Sequence, residues 1–139
     1  MLEIRVLKEA SEVGLAIMLS DLIQQNLKQK PDKINDFDAL NAHILIEARD
    51  IQITVGLTFK KGKLTVSKGL LVKPDLHIIA DSITILNLSL VRIRFGLPYL
   101  FDANGFRVLK KILTRELLIK RMIRNFGVLV KLTKVVSIV

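Results

Sequence analysis

The sequence predicts an α+β fold: a small, mostly antiparallel five-stranded sheet covered on one face by helices. Three observations predict it. Apolar residues recur with a helical period near the amino terminus, alternate with a period of two between Asn41 and Ser67, and return to a helical period after Gly105. The length of 139 residues fits one domain, residues 1–139, with a core of its own.

Val6 to Lys28 reads as one long helix, because Val6, Ala10, Val13 and Ile17 fall on one face with Leu15, Leu19 and Leu22 beside them. No charge interrupts Val13 to Leu19, so this part is expected to be buried on most sides. Pro31 ends the helix, and the residues to Asp38 read as a polar connector. Ala42, Ile44, Ile46 and Ala48 then alternate with polar or bulky neighbours. Ile51, Ile53, Val55, Leu57 and Phe59 do so more cleanly, as antiparallel strands with one packed face and one wet face. Lys61-Gly62 makes a turn, Leu64 and Val66 continue the inward face, and Lys68-Gly69 breaks that third strand. Leu76, Ile78 and Ala80 form a fourth strand. Asp81-Ser82 caps a helix from Ile83 to Leu90. Arg92 to Gly105 is irregular. Phe106, Leu109, Ile112 and Leu113 make one stripe of an amphipathic helix, Glu116 to Lys120 a fifth strand, and Ile123 to Val136 a last, largely apolar helix.

Charge is distributed unevenly. The net charge is +9, yet Met1 to Ala103 holds 13 basic and 12 acidic residues, while Asn104 to Val139 holds 9 basic residues and only Glu116. Such a cationic end points to an anionic partner, or to a solvated basic helix face. The absence of cysteine excludes a disulfide framework and thiolate metal sites. The longest charge-free run, Ser82 to Val91, is far short of the ~18 residues of a membrane span. A cytoplasmic protein without a leader segment is expected.

Catalytic residues are sparse. His43 and His77 lie in predicted strands without an acid–base set around them, and Asp75, His77, Asp81 and Ser82 have no triad signature. There is no phosphate-cradling glycine loop, and Lys61-Gly62-Lys63 reads as a hairpin turn. No metal or cofactor site is expected, and no enzyme. Nucleic-acid binding has the charge but lacks the exposed aromatics that stack bases: the outward face from Gln52 to Lys60 offers Gln, Thr and Gly.

What the chain has in surplus is aliphatic surface in its second half, including Phe95-Gly96-Leu97-Pro98-Tyr99-Leu100-Phe101. Such surplus fills a core, packs on another protein or lines a cavity. Three pieces carry a family resemblance. They are the strand–turn–strand Leu57-Thr58-Phe59-Lys60-Lys61-Gly62-Lys63-Leu64-Thr65-Val66, the strand Lys73-Pro74-Asp75-Leu76-His77-Ile78-Ile79-Ala80-Asp81 before a helix, and Leu117-Leu118-Ile119-Lys120-Arg121 before the Leu/Lys-rich Val128-Leu129-Val130-Lys131-Leu132. From Ile53 to Ile138 the chain resembles the sterol carrier protein type-2-like family of small lipid-binding domains. It departs from the family at Glu116 and Arg121, where glycines usually flank the last strand, in the long insert Arg92 to Gly105, and in lacking a Ser-Lys-Leu ending.

The resemblance implies a sheet and helices enclosing an apolar cavity for a sterol, fatty acyl chain or other lipid. Phe106, Leu109, Leu113, Phe126, Leu129, Leu132 and Val136 would line it, with Ile53, Val55 and Leu57 as its floor. Arg107, Lys110, Lys111, Lys120, Arg121, Arg124, Lys131 and Lys134 would then meet an anionic membrane surface while the lipid passes. The partners expected are the lipid, transiently that membrane, and a lipid-metabolising enzyme served as an accessory. The competing expectation is a protein-interaction module that uses its apolar helices to self-associate or to join such an enzyme.

Overall fold

The alternating stretch builds the centre of the molecule. In the computed structural model, Ala42–Ala48 (β2), Ile53–Lys60 (β3) and Lys63–Ser67 (β4) form an antiparallel meander, with Ile44 opposite Leu57 and Leu57 opposite Val66. The structure describes residues 3–10, 13–70, 72–87, 93–94, 97–98, 107, 110–111, 118–120 and 124–136. Lys61 and Gly62 join β3 to β4 with φ of 48° and 78°, the two positive values that a tight right-twisting hairpin requires. Because side chains alternate across a strand, this register puts Val55, Leu57, Phe59, Leu64 and Val66 on one buried face.

Two parallel pairings widen the meander. Leu76–Ala80 (β5) lies beside β2, with Ile44 opposite Leu76 and Ile46 opposite Ile78, and Leu118–Lys120 (β8) closes that edge antiparallel to β5. Glu3–Val6 (β1) runs parallel to β4 at the other edge. The result is a six-stranded mixed sheet in the order β1-β4-β3-β2-β5-β8, one strand more than expected. The α+β class holds.

The added strand corrects the reading of Val6 to Lys28 as one helix. Helix α1 spans Gly14–Gln29 only, while residues 3–6 are extended. Ile4 and Val6 stand opposite Leu64 and Val66, so pairing with β4 extends the apolar face and satisfies an otherwise open row of backbone donors and acceptors. A second correction concerns the connector after Pro31, where Lys33–Ala39 forms helix α2. Phe37 draws it in: the ring is 1% exposed and meets Phe59 edge-on, with centroids 5.8 Å apart.

Helix α1 buries Leu15, Leu19, Ile23 and Leu27 against the sheet. Ile17 and Met18 are 39% and 51% exposed, so the charge-free segment is buried on one side rather than on most. The reason is geometric: a helix lying on one sheet face has solvent on the other. Helix α3, Ser82–Asn87, starts at Asp81, whose Oδ1 accepts the Thr84 N–H at 2.8 Å as an N-cap. The stretch read as irregular contains a short hairpin of Ile93–Arg94 (β6) and Leu97–Pro98 (β7). The last helix, α4, spans Phe126–Val136 and packs against α1, α2 and β7.

Candidate ligand-binding site

Two regions of this fold bear on ligand binding: the helix side, where the lining residues were expected, and a recess on the other side of the sheet. On the helix side, α4 is fastened at its end. The Asn26 side chain of α1, 4% exposed, donates both amide hydrogens to the terminal carbonyls of α4, to Val135 O at 2.9 Å and Val136 O at 2.8 Å. The last four carbonyls of an α-helix lack donors within it, and these two lie at the end of the described helix. Lys134 adds an ion pair to Asp36 of α2 at 3.4 Å. The opposite end of α4 is more open. Phe126 is 52% exposed and Val128 and Leu129 are half-buried, with Asn125 Nδ2 donating to Asp75 O at 2.7 Å just before the helix.

The residues expected to line a cavity divide along that gradient. Val55, Leu57, Leu132 and Val136 are buried in one core cluster; Ile53 and Leu129 pack at its margin; Phe126 is at the surface. Phe106, Leu109 and Leu113 lie outside the described residues. Of the basic residues, Arg107, Lys110, Lys120 and Arg124 are exposed, Lys111, Lys131 and Lys134 are half-buried, and Arg121 lies outside the described residues. Lys134 is committed to Asp36, so its charge is partly spent within the fold.

On the far side of the sheet a recess of about 640 Å³ opens. The register sets His43, Thr58 and Thr65 in one row across β2, β3 and β4, and His43 Nδ1 lies 3.4 Å from Thr58 Oγ1. The chain after β4 folds back over this face. It does so at Gly56, where a Cβ would collide with the Gly69 carbonyl oxygen and stand 2.8 Å from Leu70 Cδ2. Ser67 Oγ donates to the Gly69 carbonyl and Thr54 Oγ1 to Lys68 O, which fixes the returning loop. Leu70 and Val72 become one wall, and Leu7, beyond the end of β1, part of the other. Reading the sequence missed this recess. Its signal was Gly56, an isolated glycine within a strand pattern, which marks a close backbone approach.

Asp75, Asp81 and Ser82, considered for catalysis, are engaged structurally. Asp75 Oδ2 accepts the backbone N–H of His43 at 2.8 Å. Ser82 turns to Asp50, donating its N–H at 2.9 Å and its hydroxyl at 2.6 Å, which ties α3 to the β2–β3 turn. The Ser82 hydroxyl holds the Asp50 carboxyl below the usual aspartate range, and the Thr84 hydroxyl and N–H do the same for Asp81. His77 Nε2 lies 3.4 Å from Glu47 Oε1. Among the described residues no group of three His, Cys, Asp or Glu side chains is placed to hold a metal ion, and no helix is long and apolar enough to cross a membrane.

No family model and no curated protein sequence matches this chain. Solved structures do. The chain is similar to a UbiJ-SCP2 ubiquinone synthesis protein, with a TM-score of 0.61 at 15% identity over 91% of this chain and 98% of that one. It is also similar to sterol carrier protein 2, with a TM-score of 0.51 at 14% identity over 90% of this chain and 95% of that one. The fold is that of these sterol-carrier-type domains.

Proposed function

We propose that this chain is a non-enzymatic lipid-binding domain that carries or presents a sterol, fatty acyl or other apolar chain. The observation that carries the reading is the fold it shares, nearly end to end, with a sterol carrier protein. The ligand sits on the helix side, with Ile53, Val55 and Leu57 beneath it. Phe106, Leu109, Leu113, Phe126, Leu129, Leu132 and Val136 close over it. Entry is at the amino-terminal turn of α4, where Phe126 is exposed and Val128 and Leu129 only half-buried, while Asn26 holds the other end.

The physical case needs no reacting group. At ~0.8 kcal/mol per buried methylene, a chain of about a dozen carbons gains roughly 10 kcal/mol on leaving water, before ordering costs. The basic residues then provide location. Arg107, Lys110, Lys120 and Arg124 are exposed, and each contributes about 1 kcal/mol near an anionic bilayer. In the cytoplasm such a domain takes its lipid from a membrane surface, and the likeness to a ubiquinone synthesis protein supports service to a lipid-metabolising enzyme.

A second reading, a protein-interaction module, is favoured by the exposure of Ile17 and Met18 on α1. Two measurements separate the readings. Organic extraction of the purified protein followed by mass spectrometry yields co-purified lipid if the first holds, and a fluorescent fatty acid competes for its site. Clean extracts with no probe binding, together with a stable dimer in sedimentation that Met18→Glu dissolves, establish the second instead.

A further inference from the structure

The recess on the far side of the sheet has no part in the lipid site proposed above, and its construction is that of a separate binding site. Its walls are held apart. Leu70 cannot settle further onto β3, because Gly56 already lies in contact with the loop, and the bonds of Ser67 and Thr54 keep the returning chain in place. A recess braced in this way requires little reorganisation when it is filled. Its volume, about 640 Å³, is within the range of small-molecule sites, about 300–1,000 Å³.

The lining selects a chemical class. The floor is a row of hydrogen-bonding groups: the His43 imidazole and the hydroxyls of Thr58 and Thr65, one from each of three neighbouring strands. Strands lie about 4.8 Å apart, so the row is about 10 Å long. Each hydroxyl offers one donor and two acceptor positions, and the contact between Thr58 and His43 occupies only part of that capacity. The walls, Leu7, Leu70 and Val72, are aliphatic, and Val72 is 52% exposed. Glu9 and Lys68, also in the lining, are of opposite sign, so together they give the recess no net charge with which to favour an anion or a cation.

We propose that this recess binds a compact, uncharged alcohol or ketone, with its oxygen on the His43–Thr58–Thr65 row and its hydrocarbon body between Leu7, Leu70 and Val72. The test is a titration of the full chain with cyclohexanol, followed by ¹H–¹⁵N chemical shifts, beside the charged analogues cyclohexanecarboxylate and cyclohexylamine. Cyclohexanol is expected to give saturable shifts at His43, Thr58, Thr65 and Leu70, with both charged analogues about tenfold weaker. The pair Thr58→Val and Thr65→Val keeps side-chain shape and strand preference, and lowers cyclohexanol affinity about tenfold. Leu70→Trp, which fills the space, abolishes it. Binding of a fluorescent fatty acid stays unchanged in all three variants, so this site and the helix-side lipid site fail or succeed separately. The proposal is overturned by any of three results: no saturable shifts at these residues, equal affinity for the three probes, or full affinity in the valine pair.

Discussion

Replacing Asn26 by Ala removes a side chain that hydrogen-bonds α1 to the end of α4. Two bonds, of 2.9 Å and 2.8 Å, are lost at a residue that is 4% exposed. Each buried carbonyl left without a donor costs about 1–2 kcal/mol, and Ala returns about 0.5 kcal/mol of helix propensity. The net loss is therefore about 2–3 kcal/mol. With a urea dependence of about 2 kcal/mol/M, the unfolding midpoint falls by roughly 1–1.5 M. Asn26→Asp sharpens the test. Its carboxylate accepts only, and it would face two carbonyl oxygens, so this variant is less stable than Asn26→Ala at pH 7. The gap narrows as acid protonates the new carboxyl, whose folded-state pKa is raised, and lets it donate. Urea unfolding of the three proteins from pH 7 to pH 4, with amide exchange along α4, reads both effects. A loss below about 0.5 kcal/mol in Asn26→Ala, with unchanged protection of α4, would refute the role given to this bond pair.

Gly56→Ala places a Cβ against the Gly69 carbonyl, a backbone atom that cannot swing aside, so thermal unfolding should show a loss of more than about 2 kcal/mol. The acid limb of stability depends on Asp50 and Asp81. Their carboxyls are held below the ordinary value of 3.8, so what they contribute is present above that value and is lost as pH falls through the lowered folded values. Ser82→Ala should make that limb shallower in urea titrations at successive pH values. Burial lowers the pKa of Lys33, at the start of α2, from 10.5, so in the window between the lowered and ordinary values the unfolded chain holds more protons than the folded one. Stability therefore rises with pH across that window, and Lys33→Met should remove the rise.

How much of this was legible in the sequence follows from what each pattern encodes. Alternation at Ala42, Ile44, Ile46 and Ala48, and again at Val55, Leu57 and Phe59, named two central strands and their buried face, and both stand in the structure. Asp81 announced its own helix. Of the four residues of β1, Val6 was absorbed into a helical pattern, because it fits a period of 3.6 as readily as a period of 2, and Glu3 to Arg5 are too few to show a period of their own. The seven residues of α2 are few and polar, and little beyond Phe37 and Ile34 marks their buried side. The residues of the candidate sites followed the same rule. Aliphatic stripes were visible, whereas Asn26 looked like any polar helix residue and His43 like any strand histidine.

Sequence by itself determined which residues alternate, where the turns fall and that positive charge gathers in the last quarter of the chain. Each of these depends on neighbours a few positions away. Tertiary structure alone decided that β1 pairs in parallel with β4, that Asn26 meets carbonyls 109 and 110 residues distant, and that a loop closing on Gly56 leaves a recess over His43. The reason is physical. A local pattern records which side of a residue must leave water, but which partner takes that side depends on the packing of segments far apart in the chain.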